Sequence, residues 1–223
     1  MEKYHTLAPP WSAAGFAMSI LRAYAKYNAW ATDQLWRGCK CHASLLLSPQ
    51  APQGLFATSI HGTFTHILLA DALWYYRITK TYPRYIYGVF GLKEELALSR
   101  RLDTLWTSDN TTWHTILNSS DEVETLMKEQ GSMWIKLLDS YSDSFLNTSN
   151  ISYPDTAGNI QTQQLDHALL HVFNHSTHHR GQITAVLSSH SLTIPPLDFT
   201  YYMSSVTSAS KIDRPSFNDG MMI

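Results

Sequence analysis

Cysteine is nearly absent from this 223-residue chain, which has only Cys39 and Cys41. Two apart on a segment of helical periodicity, they point to different faces, which argues against a disulfide or a shared metal and leaves both as reduced thiols. Charge is sparse and balanced. Charged residues make up 15%, and 16 Lys+Arg against 18 Asp+Glu leave a formal charge of −2. Such a chain lacks the basic face that nucleic acid requires, so no nucleic-acid partner is expected. No apolar run reaches the ~18–20 residues of a membrane helix. The longest candidate, Ile67 to Tyr76, is broken by Asp71 and reads as a buried helix. The N-terminal MEKYHTLAPPW has no charged segment leading into an apolar core, so neither a secretory signal nor a membrane partner is expected, and the predicted location is the cytoplasm. The Asn-x-Ser/Thr sequons at Asn110, Asn118, Asn147, Asn150 and Asn174 then read as chance matches. Internal repeats, a Gly-rich phosphate loop, a nucleophile elbow and a carboxylate pair are lacking too.

What the chain does have is apolar and aromatic surface. Hydrophobic residues reach 44%, with 7 Trp, 12 Tyr and 8 Phe, which excludes a disordered chain and suits one domain of roughly 150–200 residues plus tails. The expected division is an extension over 1–15, a helical domain over 16–206 and a mobile tail over 207–223. Four segments carry helical periodicity: about Phe16 to Ala43, about Ser59 to Lys80, a third opening near Ser119, and about Gln163 to Ser189. The second is apolar nearly all round and belongs deep in the core. The third starts on Ser119-Ser120-Asp121-Glu122, a capping-box spacing, and its stripe runs from Val123 through Trp134 to Phe145. Between it and the fourth, ISYPDTAGNIQTQ reads as a hairpin around Thr156 to Asn159. The fold class predicted is all-α, an antiparallel four-helix bundle with this minor hairpin.

Eleven histidines are the anomaly. On the fourth segment Ala168, His171, His175, His179, Gln182 and Val186 recur at spacings of three or four and line one face. Histidines four apart stack one turn above each other, within reach of one metal ion. A stable site needs a third ligand. His66, on the apolar second helix, is the candidate, because an imidazole there is costly to bury without a partner and bundles build metal sites from facing helices. His-x-x-x-His is a short pattern, and a hydrogen-bonded core role competes with it. His5, His42, His114, His167 and His190 are taken as ordinary core or surface residues.

HVFNHSTHHRGQ packs four histidines, an Arg and a Gln into twelve residues. The stretch NHSTHHRGQI at Asn174 to Ile183, together with THILLADALWYY at Thr65 to Tyr76, AYAKYNAW at Ala23 to Trp30 and IPPLDFTYY at Ile194 to Tyr202, resembles the DinB family of metalloenzyme-like bundles. The resemblance spans about Met18 to Met203. It implies an up-down-down-up four-helix bundle holding one divalent metal on His66, His175 and His179. His178 rivals its neighbour His179, His61 rivals His66 on the second helix, and His171, one turn before His175, is the candidate for a fourth, closing ligand. The chain is longer than most members between Lys80 and Ser119, where an insertion would lie over the site.

Three imidazoles suit zinc or nickel, and also iron or copper. Family members act as metal-dependent thiol S-transferases or as a thiol-using isomerase, and others have been likened to hydrolases. The resemblance therefore implies a small-molecule substrate, with a low-molecular-weight thiol as possible co-substrate, and often a homodimer. The alternative is a non-enzymatic metal-binding or stress-related bundle, or one with no metal at all. Gln182, Arg180 and Asn28 are the candidate catalytic residues: Gln182 toward substrate or within the bundle, Arg180 toward an anion or an ion pair with Asp71, Asn28 toward a ligand imidazole or a backbone group.

Overall fold

A computed structural model describes residues 13–48, 55, 57–82, 117, 119–155 and 157–212. Residues 1–12 of the extension expected over 1–15, residues 83–116 of the expected insertion and residues 213–223 of the tail expected over 207–223 lie outside the described residues, whereas 13–15 and 207–212, assigned to those ends, are helical. Among the described residues the elements are α1 (Ala13–Lys40), α2 (Ala43–Leu47), α3 (Ile60–Thr81), α4 (Ser120–Ser140), α5 (Asp143–Thr148), the strands β1 (Asn150–Pro154) and β2 (Ile160–Gln164), α6 (Leu165–Ser189) and α7 (Phe199–Ile212).

The four long helices pack in a ring, α1 against α4, α4 against α3, α3 against α6 and α6 against α1. Sequence neighbours α1 and α3 therefore sit on one diagonal, and α4 and α6 on the other. No helix among the described residues is long and apolar enough to cross a membrane. Local chemistry sets the helix starts. The Ser59 hydroxyl accepts from Gly62 N at 2.9 Å, and the Ser119 hydroxyl accepts from Glu122 N at 3.3 Å. The stripe expected to run unbroken to Phe145 is split, because Ser142 caps a new helix by accepting from Phe145 N at 3.2 Å. The first segment likewise breaks after Lys40, and α2 begins at Ala43.

The hairpin pairs Asn150 with Gln164 and Pro154 with Ile160 in antiparallel register. Its turn is built by Asp155, whose Oδ1 accepts from Ala157 N and Asn159 N at 2.9 Å each, and by Gly158 at φ +85. The core consists of one cluster around Trp134, Leu137, Leu169 and Phe173 and another around Leu35, Trp36, Phe64 and Ile183, all at most 1% exposed. Helix α7 lies where no separate helix was predicted, after Pro195 and Pro196. Its Tyr202 packs on Tyr27 and Trp30 of α1 at centroid distances of 6.0 and 5.6 Å.

Candidate metal centre

Helix α3 is buried from Ile60 to Tyr75 except at one position, His66, which is half-buried. Its apolar composition places it against both α4 and α6, and only His66 looks out along the seam with α6. Across that seam His175 and His179 stand one turn apart. The Nε2 atoms of the three rings converge: His66 lies 3.3 Å from His175 and 3.1 Å from His179, and the latter two are 3.1 Å apart.

These distances suit a cation better than a hydrogen-bond ring. A neutral imidazole carries a single N–H, fixed in the ring plane, so three nitrogens aimed at one point cannot all be donor and acceptor to each other. A tetrahedral site with bonds of about 2.0–2.1 Å has edges of about 3.3–3.4 Å, close to the observed triangle. Among the described residues these three form the group of His, Cys, Asp or Glu side chains that can hold a metal ion. Protonation favours the same conclusion. Burial, and then the charge of His179, pushes His66 down to about 4; burial and the neighbouring imidazoles push His175 down to about 3. His179 is lowered by burial, against the opposing hydrogen bond of Gln182. All three are therefore neutral at pH 7, as ligands must be.

Gln182 Oε1 lies 2.8 Å from His179 Nδ1. Accepting there fixes the N–H on Nδ1 and leaves the Nε2 lone pair toward the triad, the usual support for a metal-binding imidazole. Asn28 does not take this role. Its amide joins a buried network: Arg180 Nη1 donates to Asn28 Oδ1 and, at 3.1 Å, to Thr32 Oγ1, while Nη2 donates to Thr177 Oγ1 at 2.9 Å. Asn28 in turn donates to Asp71, which also accepts from Ser176 Oγ at 3.0 Å. Arg180 is 2% exposed, and its guanidinium lies 5.6 Å from the Tyr27 ring. Burial raises the Asp71 carboxyl to about 7, although Ser176, Arg180 and Asn28 all favour its charged form.

The rivals are placed elsewhere. His178 is exposed and meets His179 only ring to ring at 4.9 Å. His61 is 5% exposed beside Trp36, with Nε2 buried and unbonded. His171 is exposed, its ring 5.9 Å from that of His175 and 5.3 Å from Trp74.

A model of the DinB family matches residues 18–213, most of the chain. The chain is a member of the DinB family. It is 25% identical over 178 residues to Protein DinB of Bacillus subtilis (strain 168), covering 80% of this chain and 90% of that protein. No solved structure matches it. His175 and His179, picked out by their spacing, and His66, picked out as an imidazole on an apolar helix, are thus brought together in space. What sequence reasoning missed is the pairing of Arg180 with Asn28 and Thr32, whose separations of 152 and 148 residues leave no local signal.

Proposed function

We propose that this DinB-family protein is a metal-dependent enzyme in which His66, His175 and His179 hold one divalent ion, zinc or nickel, and the reaction is transfer to or hydrolysis of an electrophilic small molecule. The observation that carries the reading is the triangle of Nε2 atoms drawn from two separate helices, with no cysteine beside it. Three-imidazole sites characterise catalytic metals with an open position, whereas closed structural zinc sites recruit thiolates. A divalent ion there lowers the pKa of a coordinated thiol or water, so a low-molecular-weight thiol is the expected co-substrate of a transferase and water that of a hydrolase.

The chain's own groups have separate tasks in this reading. Gln182 holds the His179 ring and its tautomer. Arg180, Asn28 and Asp71 stay out of the chemistry and hold α6 against α1 and α3. The half-buried faces of His66 and His175 admit the substrate. A homodimer through a bundle face accompanies this proposal, supported by Phe199, Tyr201, Met203 and Val206 of α7, which are 39–54% exposed.

Elemental analysis and turnover test the reading. The purified protein is expected to hold one metal per chain, His175→Ala to hold none, and His190→Ala to hold one. Thiol-plus-electrophile pairs and activated esters are expected to turn over only with metal present. Stoichiometric metal without turnover of either class would favour the non-enzymatic bundle, and no metal in wild type would overturn both.

A further inference from the structure

Histidine recurs at intervals of four along α6, at His167, His171, His175 and His179. The last two belong to the triad, and the first two have no part in it. Burial falls steadily along the row: His179 is 5% exposed, His175 is half-buried, and His171 and His167 are exposed. Helix geometry produces this gradient. Residues four apart rise about 6 Å and turn about 40°, so the row climbs about 18 Å while sweeping about 120° from the seam to the solvent face.

The rings follow one another closely at the inner end. The centroids of His179 and His175 are 4.4 Å apart, and those of His175 and His171 are 5.9 Å apart. Side chains one turn apart on a helix are neighbours, so the exposed His167 and His171 reach one ion by rotamer changes alone. Neither of these two imidazoles has a hydrogen-bond partner among the described residues, whereas His179 is held by Gln182. At the outer end stands Asp166, the one acid of α6, whose Oδ1 accepts from His167 N at 2.8 Å. His178 is exposed too, with its ring 4.9 Å from that of His179, but Asn174 and Gln182 stand four residues to either side, so no row leads from it.

We propose that His167 and His171 form an outer metal-binding pair that captures a divalent ion from solution and passes it to His175 as the triad is loaded. The inference rests on the metal-centre reading above and adds the route by which that site is filled. Two imidazoles hold an ion more weakly than three, so the equilibrium favours the triad. The handover exchanges one nitrogen at a time and needs no open channel: His171 keeps the ion while His175 replaces His167, and His66 and His179 then replace His171. An ion held on the pair is at high effective concentration for the triad, which speeds loading and release alike and leaves the affinity of the triad unchanged.

The test mixes metal-free, full-length protein with Co2+ in a stopped-flow instrument and reads filling of the triad from the cobalt absorption bands. Loading is expected to slow about tenfold in His171→Ala and about threefold in His167→Ala, with release to a chelator slowed by the same factors and affinity within about twofold of wild type. His178→Ala is expected to load at the wild-type rate. A merely structural role for His171 would change the affinity or the melting temperature in place of the two rates together. Wild-type loading in both His167→Ala and His171→Ala, or equal slowing by His178→Ala, would overturn the proposal. A second arm reads the pair alone: with the triad already filled by zinc, one further equivalent of Ni2+ is expected to broaden the imidazole proton resonances of His167 and His171 selectively, and no broadening would overturn the capture step. If wild type gives no cobalt bands, the metal-centre reading falls and the handover with it, and selective broadening by Ni2+ would then retain the capturing pair alone.

Discussion

Replacing Arg180 by Met tests whether this residue holds the scaffold or handles substrate. The side chain is 2% exposed and makes three hydrogen bonds to Asn28, Thr32 and Thr177. Methionine fills much of the volume but leaves those acceptors, and Asp71 behind Asn28, in a dry interior. Breaking a buried charged cluster from one side costs about 3–5 kcal/mol, whatever the intact cluster contributes against an apolar replacement. Asp71 moderates the loss, because a carboxyl already raised to about 7 can take up a proton when its cation is removed. The expected destabilisation is therefore near about 3 kcal/mol, a large share of the ~5–15 kcal/mol that typically holds a domain together. The sign of its pH dependence follows. In wild type the folded Asp71 titrates above its unfolded value of 3.8, so its contribution is present at low pH and is lost as pH rises through about 7. Without Arg180 the folded carboxyl is harder still to ionise, so the penalty of Arg180→Met should be larger at pH 8 than at pH 5. Urea denaturation at the two pH values, on metal-free protein, measures both. A loss below about 1 kcal/mol at both pH values, or intact stability with a loss of ligand binding, would refute the structural role.

Three further perturbations probe other parts of the argument. Gln182→Leu should weaken metal binding about 10–100-fold while the circular dichroism stays unchanged, since only the support of the His179 ring is removed; unaltered affinity in a chelator competition would contradict that role. Thermal melts of metal-free protein should show stability falling as pH drops from 6.5 toward 4, because the unfolded chain takes up protons that folded His66 and His175 refuse, and the double variant His66→Gln with His175→Gln should flatten that slope. Gly131→Ala should destabilise: its Cβ would stand 2.9 Å from the Cβ of Ala29, so the about 1 kcal/mol of helix propensity gained is outweighed by about 1–3 kcal/mol of overpacking, and a raised melting temperature would show that α1 and α4 are not so close.

The parts of this molecule legible in the sequence are those governed by local rules. Ser59 and Ser119 announce their helices through a hydroxyl three residues before the amide it caps, and the two histidines of α6 are set by the helical period alone. The split at Ser142 obeys the same capping rule, but the apolar stripe runs on to Phe145 and masks it. Helix α7 was hidden for a different reason. Two prolines precede it, its second half is rich in Ser and Thr, and its hold on the bundle comes from Tyr202 reaching Tyr27 and Trp30, a contact with no signature in the segment itself. Asn28 shows the limit most plainly. A polar residue in an apolar stripe signals a buried partner, yet nothing local distinguishes an imidazole from the guanidinium that it meets.

The buried network also bears on why His179, and not its neighbour, joins the triad. Successive residues on an α-helix point about 100° apart, so His178 would replace His179 at His66 only if α6 turned about its axis by roughly that angle, and smaller turns would already pull His179 off the seam. Apolar contacts oppose the full turn, which would carry Leu169, Phe173 and Ile183 out of the core, but they define the angle only coarsely. Hydrogen-bonded groups are not tolerant: Ser176 must meet Asp71 of α3, and Arg180 must meet Asn28 and Thr32 of α1. Each follows a triad histidine by one position, Ser176 after His175 and Arg180 after His179. With those two anchored to different helices, both the rotation and the height of α6 are specified, and the imidazoles one position earlier are carried to the seam with α3. A buried charged network is a poor source of net stability, but its directional bonds fix an angle that the apolar face leaves loose. On this reasoning the cost of keeping Arg180 and Asp71 away from water is retained because it sets which face of α6 looks at His66.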